Sequence, residues 1–339
     1  MKALQIKEQG HVVTVDLPVP EAGEGEVLLK VDYVGFCGSD LNTFRGLNAM
    51  AKPEVIPGHE IAATIAATGS GVPDFLRTGM NVTVNPYTSC GVCSSCRNGR
   101  PNACKDNQTL GVQRDGAMRE YISVPWEKII PAPGLNSEQT ALVEPMSVGF
   151  HAVARGQVTD TDTVMVIGCG MFGLGAVVRA ALRGAKVIAA DIDNDKLDIA
   201  AGMGASFTLN TMEEGFMDRL MKFTGGRGPD VVVEAVGSPQ TYRLAVDAVA
   251  FTGRVVCIGY SKLDVSFTTR LFVQKELDIR GSRNAMPSDF EAVIRYLERG
   301  TCPTDRLISG IVGFDDAEKA LLDWSDNPGK VFRIILKVR

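Results

Sequence analysis

Residues 163–173, TVMVIGCGMFG, decide the fold of the middle of this chain. An apolar run typical of a buried strand leads directly into the pattern G-x-G-x-x-G, formed by Gly168, Gly170 and Gly173, and a helical segment follows. In such a unit the first glycine permits the tight turn, the second lets the backbone approach a pyrophosphate, and the third lets helix and strand pack closely. The free N–H groups of the helix N-terminus favour an anion. The stretch predicts a dinucleotide site rather than a helix-capping turn.

Asp191 indicates which dinucleotide is bound. It ends the next predicted strand, KVIAAD, 23 residues after Gly168, where a carboxylate would accept hydrogen bonds from the adenosine ribose. A carboxylate there would repel a 2′-phosphate, and neither Arg nor Lys follows immediately in IDND. NAD is therefore favoured over NADP. Further cofactor contacts are predicted in the turn and after two later strands, at Met171, Phe172, Val236, Gly237, Ile258 and Gly259.

The flanking regions differ from the middle of the chain. Residues 1 to about 150 contain short Val- and Ile-rich runs broken by turns, an all-β pattern with strands at 27–34, 60–68 and 81–86. The middle stretch alternates strands and helices, which indicates a parallel sheet covered on both faces, with elements at 163–167, 172–183, 186–191, 195–203, 231–235, 240–249 and 254–258. The last stretch has helices at 288–299 and 315–324 and a strand at 331–338. The predicted fold class is α/β, with domains 1–152, 153–285 and 286–339.

Composition narrows the function classes. The 339 residues are 45% hydrophobic and 22% charged, as in globular proteins, and the formal net charge of −5 gives no electrostatic footprint for nucleic acid or an anionic membrane. The start lacks a basic head followed by an apolar core, and the longest apolar run, 164–178, is too short to span a bilayer. We expect a cytoplasmic protein with neither a nucleic-acid nor a membrane partner.

Four of the eight cysteines form a metal-binding pattern. They occur as C-x2-C-x2-C-x7-C in SCGVCSSCRNGRPNAC, at Cys90, Cys93, Cys96 and Cys104. Four thiolates on one short loop can close a tetrahedral shell around zinc and leave no position for water or substrate. The alternative is a set of reduced or disulfide-paired cysteines. The spacing favours a structural zinc site.

A second metal site is sought among the remaining residues, with only three histidines to choose from. His11 is interpreted as a surface residue and His151 as a core or interface residue. His59 lies in the tight turn PGHE, Cys37 follows a predicted strand in GFCGSD, and Glu144 lies in LVEP. A thiolate, an imidazole and a carboxylate would hold zinc with one position open for substrate, as in catalytic sites.

Together these motifs resemble the zinc-dependent medium-chain alcohol dehydrogenases along the whole chain. The resemblance implies a GroES-like barrel at 1–152 that carries both zinc sites, a Rossmann domain at 153–285 that binds NAD, and a segment at 286–339 that returns to the catalytic domain. Position 144 is a cysteine in the simple alcohol dehydrogenases. A glutamate there is similar to the branch of sorbitol, galactitol-phosphate and sugar-acid dehydrogenases such as L-galactonate dehydrogenase. The matching stretches are GFCGSD, PGHE, VEP, the four-cysteine loop, the glycine-rich turn and Asp191.

The resemblance also implies roles at the catalytic metal. Zinc held by Cys37, His59 and a carboxylate would polarise the substrate oxygen and lower the pKa of its hydroxyl, and the nicotinamide would accept hydride. Glu60 and Glu144 compete as the carboxylate ligand, and Glu144 is favoured, with Glu60 bound in one state or resting nearby. Ser39 would start the proton relay, the alternative being a turn-capping serine.

Three further residues receive roles. Asp40 would orient His59 as a hydrogen-bonding partner. The stretch GSRNA, at 281–285, resembles the sugar-acid dehydrogenases, and its Arg283 suits a carboxylate or phosphate, with Asn284 beside it as a second substrate contact. The alternative for Arg283 is a salt bridge to a neighbouring acid or to the cofactor.

The predicted activity is oxidation of a secondary hydroxyl of a polyol or sugar derivative, with a sugar acid favoured, by an enzyme with two zinc ions and NAD. The alternatives are a threonine-like amino-alcohol dehydrogenase, a catalytically silent NAD-binding regulator and a zinc-ribbon nucleic-acid binder. An exposed edge after 254–260 and an apolar strip at 265–273 predict a homodimer or homotetramer.

Overall fold

The computed structural model describes residues 1–51 and 54–339, without the side chain of Lys330, and the chain forms two compact units. One unit comprises Met1–Glu144 and Met286–Arg339, and the other comprises Pro145–Ala285. The sequence predicted the first division after residue 152, whereas the units divide after Glu144. Within the described ranges, no helix is long and apolar enough to cross a bilayer.

Short strands and helices make up both units. The strands are β1 (Lys2–Glu8), β2 (His11–Asp16), β3 (Glu26–Phe36), β4 (Glu60–Thr68), β5 (Asn81–Val84), β6 (Tyr121–Pro125), β7 (Ile129–Pro131), β8 (Thr163–Ile167), β9 (Lys186–Asp191), β10 (Phe207–Asn210), β11 (Val231–Glu234), β12 (Arg254–Cys257), β13 (Asp278–Gly281), β14 (Gly310–Val312) and β15 (Ile334–Lys337). The α-helices are α1 (Gly38–Phe44), α2 (Ser94–Arg97), α3 (Ser137–Ala141), α4 (Val143–Arg155), α5 (Met171–Leu182), α6 (Asn194–Gly202), α7 (Phe216–Phe223), α8 (Pro239–Ala248), α9 (Arg270–Gln274), α10 (Pro287–Leu297), α11 (Thr304–Leu307) and α12 (Ala317–Asp326). Short 3-10 helices lie at Pro101–Ala103, Trp126–Lys128, Phe314–Asp316 and Pro328–Lys330.

The unit Pro145–Ala285 contains a six-stranded parallel sheet in the order β10-β9-β8-β11-β12-β13. Its central strands are nearly continuous apolar runs, as expected for strands covered on both faces. Met165, Ile188, Val232 and Val255 belong to its buried core. The strand order reverses between β8 and β11, the place where such sheets bind ligands. The predicted doubly wound α/β fold is confirmed.

The other unit is built on a mostly antiparallel sheet. Its order is β14-β15-β3-β4-β5-β7, with β6 also paired to β3, and β1 and β2 form a separate hairpin. The C-terminal β15 pairs antiparallel with β3, so the last segment of the chain completes this sheet. Phe36, Ile61, Ile65 and Leu336 lie in its core.

The pairing of β3 with β4 brings two distant motifs together. The strands run antiparallel, and Gly35 near the end of β3 faces Glu60 at the start of β4. Cys37 follows β3 immediately, and His59 precedes β4 immediately. Because antiparallel pairing sets the end of one strand beside the start of the next, the two side chains meet at one edge of the sheet.

Candidate metal and dinucleotide sites

The first candidate site is a buried group formed by Cys37, His59 and Glu60. One ligand atom from each residue, a sulfur, an imidazole nitrogen and a carboxylate oxygen, lies within 4.8 Å of the other two. All three side chains are buried. The sequence predicted Cys37 and His59 as ligands, with Glu60 or Glu144 as the carboxylate, and the structure brings the first three of these residues together.

Glu60 is accommodated by a glycine and faces a buried cation. A Cβ atom on Gly35 would lie 2.1 Å from Glu60 Oε2, so a side chain at position 35 would displace the carboxylate. Nη1 of Arg333, just before β15, lies 3.0 Å from Glu60 Oε1 and donates a hydrogen bond of 2.7 Å to the carbonyl of Phe36. Arg333 was not predicted from the sequence, since a lone arginine before a terminal strand has no motif.

Several buried polar atoms around this group have no hydrogen-bond partner within the described ranges. They are Ser39 Oγ, Asp40 Oδ1, His59 Nδ1 and Glu60 Oε2, whereas Glu60 Oε1 is ion-paired with Arg333. Such orphaned groups are costly unless something satisfies them. A divalent cation between the imidazole, the carboxylate and the Cys37 sulfur would satisfy the imidazole and the carboxylate, and sulfur, nitrogen and oxygen are the ligand atoms of zinc. The residues therefore fit a zinc ion.

Asp40 contacts the ligand group through the backbone. Its Oδ2 accepts a 2.8 Å hydrogen bond from the backbone N–H of Cys37, which lies at the N-cap of α1. The carboxyl is fully buried, and burial raises its pKa, whereas the charge of His59 lowers it. Asp40 thus fixes the Cys37 backbone. Its predicted hydrogen bond to His59 stays a prediction.

The protonation of the group reflects its burial. Burial raises the pKa of Glu60 to about 7 against the opposing effect of Arg333. Burial lowers the pKa of His59, but Cys37, Asp40 and Glu144 together raise it well above its ordinary value. Burial also raises the pKa of Glu144. Raised pKa values mean that these groups hold their protons to higher pH in the absence of a cation, and a metal would compete with those protons.

Glu144 lies in the first turn of α4, at 3% exposure. The hydroxyl of Tyr87 donates a hydrogen bond to its Oε1, and the charge of Glu144 interacts with that of His59. In the described part of the chain, Glu144 is outside the group whose ligand atoms lie within 4.8 Å of one another. Its role as a direct ligand stays a prediction. Tyr87 was not predicted from the sequence, because it stands in NPYTS without a recognisable motif.

The four-cysteine loop forms the second candidate metal site. Sulfur atoms of Cys90, Cys93, Cys96 and Cys104 all lie within 4.8 Å of one another, and none of the four is in a disulfide. Backbone N–H groups donate to two of the sulfurs, from Cys90 to Cys104 at 3.3 Å and from Cys93 to Cys90 at 3.4 Å. The loop fits a closed zinc shell.

The glycine-rich turn has the geometry that the motif predicted. Gly168 has φ +92°, and a Cβ on Gly173 would lie 1.7 Å from the carbonyl oxygen of Gly168. A Cβ on Gly170 would meet no described atom within 4 Å, so this face of the turn is open. Helix α5 begins at Met171 without a side-chain cap, and its first N–H groups remain for an anion. These features fit a dinucleotide pyrophosphate.

Asp191 is held beside this turn at the end of β9. Its Oδ2 accepts a 2.6 Å hydrogen bond from the N–H of Cys169, and its Oδ1 accepts from Ile192 at 2.8 Å and Asp193 at 3.1 Å. Three backbone donors fix the orientation of this carboxylate. A fixed anion in this position suits neutral ribose hydroxyls better than a phosphate.

The remaining predicted cofactor residues follow β11 and β12. Val236 and Gly237 donate their N–H groups to Glu234 Oε1, at 2.9 and 2.8 Å. A Cβ on Gly259 would lie 2.2 Å from the nitrogen of Gly237, so the two turns pack backbone to backbone. Glu234 was not predicted from the sequence, although a carboxylate that ends the apolar strand VVVE is a usable signal.

Arg283 and Asn284 follow β13 in the unit Pro145–Ala285. Arg283 lines a cavity of about 610 Å³ at the ends of β12 and β13, together with Tyr242, Ile258, Gly259 and Phe267. Asn284 has φ +55°, a left-handed conformation that asparagine tolerates. The structure thus brings Arg283 together with two of the predicted cofactor residues.

Comparison with known proteins gives the class. Residues 23–134 match the family described as alcohol dehydrogenase GroES-like domain, and residues 172–299 match zinc-binding dehydrogenase. L-Galactonate-5-dehydrogenase of Escherichia coli K12 is 33% identical over 91% of both chains. Sorbitol dehydrogenase of Bacillus subtilis is 33% identical over 95% of this chain and 92% of its own. An alcohol dehydrogenase of Escherichia coli CFT073, solved with NADH, is similar with a TM-score of 0.90 and 29% identity over 100% of this chain and 99% of its own.

The chain belongs to the zinc-binding alcohol dehydrogenases, with a GroES-like domain and a Rossmann-type sheet. It is an oxidoreductase of that family, and the relatives named above include dehydrogenases of a polyol and of a sugar acid. The zinc-ribbon nucleic-acid alternative is thereby excluded. The resemblance read from the sequence motifs is confirmed.

Proposed function

We propose that this enzyme oxidises a secondary hydroxyl of a polyol-like sugar derivative, a sugar acid above all, to the ketone, with NAD as hydride acceptor. The observation that carries the proposal is the buried group of Cys37, His59 and Glu60, with Glu144 electrostatically coupled to it and orphaned polar atoms around it. Three protein ligands around a zinc ion leave a fourth coordination position for water or substrate, which is the arrangement of a catalytic site and not of a structural one.

The roles of the residues follow from their positions. Cys37 and His59 hold the metal, and Glu60 or Glu144 supplies the oxygen ligand. Zinc in this position supplies a Lewis acid that polarises the substrate hydroxyl. The hydroxyl oxygen of Ser39, buried and without a partner in the described structure, would start a proton relay, taking up the proton that the substrate loses as it passes its own hydroxyl proton on towards solvent. Burial excludes bulk water from these steps.

The cofactor proposed is NAD. The open face of Gly170 and the uncapped start of α5 receive the pyrophosphate, and the fixed carboxylate of Asp191 accepts from the ribose hydroxyls. NADH in a solved relative supports a nicotinamide cofactor in this fold.

The substrate class is inferred from two residues. Glu144 stands where simple alcohol dehydrogenases have a cysteine, and an oxygen ligand makes the metal more receptive to the oxygens of a polyhydroxylated substrate. Arg283 offers a fixed cation on the lining of a cavity, suited to paired hydrogen bonds with a carboxylate. The names of two relatives, an L-galactonate and a sorbitol dehydrogenase, support this class.

The test is a substrate screen read by the absorbance of the reduced cofactor. We expect turnover of aldonates and polyols with NAD⁺, and slow turnover of simple primary alcohols. Arg283→Ala should raise KM for an aldonate far more than for a neutral polyol. Arg295→Ala, in an exposed helical ion pair with Glu291, is the matched control. Equal losses on both substrates would assign Arg283 to the cofactor or to structure, and fast ethanol oxidation with sluggish polyol turnover would contradict the substrate class.

We also propose a homo-oligomer, a dimer or tetramer. Tyr260, Leu263 and Val273 are 77%, 70% and 84% exposed, and β13 ends its sheet with an edge that no described strand pairs. Large exposed apolar side chains beside a free strand edge are typical of subunit contacts. Sedimentation of the wild type and of Val273→Glu tests this. A monomeric wild type would contradict it.

A further inference from the structure

The phenol of Tyr87 lies against the predicted metal site. Its hydroxyl donates to Oε1 of Glu144, and both side chains are buried, at 5% and 3% exposure. Hydrogen bonds to a carboxylate away from water are among the strong ones in proteins. This contact joins two segments that lie far apart in the sequence.

The position of Tyr87 is fixed along its backbone. It follows β5, its N–H donates to Asn85 Oδ1 at 3.2 Å, and Lys128 Nζ donates to its carbonyl at 2.7 Å. An isolated antiparallel β-bridge also pairs Tyr87 with Thr109. The hydroxyl is therefore presented from a backbone that is tied on several sides.

The ring of Tyr87 is also confined. It packs edge-to-face on Phe290, with ring centroids 6.5 Å apart and an interplanar angle of 71°. Phe290 is completely buried in α10. Because this packing restricts the ring, the hydroxyl points at Glu144 without reorganisation.

The two carboxylates of the site have partners of different charge. Glu60 faces the guanidinium of Arg333, a cation that competes with a metal for the same carboxylate. Glu144 accepts a hydrogen bond from a neutral phenol, which orients one of its oxygens, while the charges of His59 and Arg333 act on it from further away. Tyr87 is therefore the neutral group that orients this carboxylate.

We propose that Tyr87 is a positioning residue of the metal site: its hydroxyl, bonded to Oε1, fixes the orientation in which the Glu144 carboxylate is presented to zinc. The inference rests on the proposed function, since it needs a metal at Cys37 and His59. It adds Tyr87, which would influence the metal by orienting the ligand Glu144. Partners that orient metal ligands commonly contribute 10–100-fold in affinity.

The test measures zinc affinity without substrate. Protein loaded with zinc is titrated with a chelator, and loss of the more labile ion is followed in the wild type, Tyr87→Phe, Glu144→Gln and the double variant. Tyr87→Phe should weaken that site by about 10–100-fold. On the Glu144→Gln background it should add less than about twofold, because the residue through which it acts is already changed.

The matched control is Tyr33→Phe, which removes a hydroxyl from β3 in the same unit. It should leave zinc affinity unchanged. Unfolding of the zinc-free proteins shows whether Tyr87→Phe alters stability, and the visible spectrum of the cobalt-loaded protein should change in Tyr87→Phe but not in Tyr33→Phe. Unchanged zinc affinity in Tyr87→Phe, or fully additive losses, would overturn the role of Tyr87 and leave the proposed function intact. A wild type that binds zinc only at the four cysteines would overturn both.

Discussion

The two metal-ligand groups of this protein are assembled in opposite ways. The four cysteines come from one short loop, at 90–104, and two of them, Cys90 and Cys96, are only partly buried. The other group joins residues 37, 59 and 60 through the pairing of two long strands, and all of it is buried. A local set closes around an ion and stabilises its loop. A long-range set depends on the whole sheet and can leave a position for substrate.

Electrostatics separates the two groups further. Around Cys37 and His59 the structure places Asp40, Glu60 and Glu144, three buried carboxylates with raised pKa values. Buried carboxylates that resist ionisation are typical of functional sites. In the cysteine loop the shifts are mixed: a hydrogen bond with Ser95 is the main cause that lowers the pKa of Cys93 to about 5, whereas burial raises the pKa of Cys96 to about 11.

Removing a ligand of the buried group should have the largest effect on activity. Cys37→Ala or His59→Ala should reduce turnover by about a thousandfold or more, because a Lewis acid contributes several kcal/mol to the transition state. Steady-state rates and circular dichroism measure this. The control Cys302→Ser removes a thiol outside both groups and should keep full activity. Substantial turnover in His59→Ala would show that this group is not the reaction centre.

Removing a ligand of the cysteine loop should affect stability instead. Cys96→Ser should lower the melting temperature by roughly 5–10 °C, corresponding to a few kcal/mol, since zinc no longer closes the loop. Activity at low temperature should largely persist. Calorimetry and rates on the same preparation separate the two effects. Immediate loss of turnover with an unchanged melting temperature would reverse the assignments of the two groups.

The zinc-free protein should lose stability as pH rises. The pKa of Glu60 is about 7 in the folded protein and near 4.5 when unfolded, so the folded state binds more protons between these values. Its contribution is complete below about pH 4.5 and is lost as pH rises through about 7, roughly 3 kcal/mol in all. Glu144, Asp40 and His59 are shifted in the same direction.

Denaturant unfolding of zinc-free wild type and Glu60→Gln over this pH range tests that dependence. The stability of wild type relative to the variant should fall with increasing pH. Zinc affinity at the buried group should rise over the same range, because the metal displaces protons. A stability difference that does not vary with pH would contradict the assignment of a raised pKa to Glu60.

The smallest of these effects concerns the dinucleotide site, which involves neither metal group. Asp191→Ala should weaken NAD binding by about 1–3 kcal/mol, because the ribose hydroxyls lose a charged acceptor. NADP binding should weaken much less or improve. Asp198→Ala, exposed in α6, is the control. Fluorescence titration measures both affinities, and a wild type that prefers NADP would refute the interpretation of Asp191.

The sequence predicted the strongly patterned elements with accurate bounds. Strands β4, β8 and β9 were predicted at the residues where the structure has them, since each is a compact apolar run. The prediction omitted β10 and α7. Strand β10, FTLN, is short and half polar, and α7 follows it without a capping residue, at a glycine with φ +72°. Tertiary contacts define such elements more than local pattern does.

The residues of the candidate site also divide into those that a sequence motif identifies and those that only the tertiary structure reveals. Motifs identified Cys37 and His59, but only the register of β3 on β4 shows that they meet. Arg333 and Tyr87 reach the site from segments without motifs, and the pairing of β15 with β3 and the turn after β5 decide their positions. Residues that act through others have weak sequence signatures, since many residue types can occupy such positions.

The central claim is that the reaction takes place at the zinc held by the buried group and not at the four-cysteine loop. Metal content and NADH formation with a polyol or aldonate, followed together during stepwise chelation, test it most directly. We predict two zinc ions per chain, loss of turnover in step with the first ion released, and recovery when one equivalent is restored. Full activity with a single tightly held zinc, or activity that disappears only with the second ion, would contradict the account.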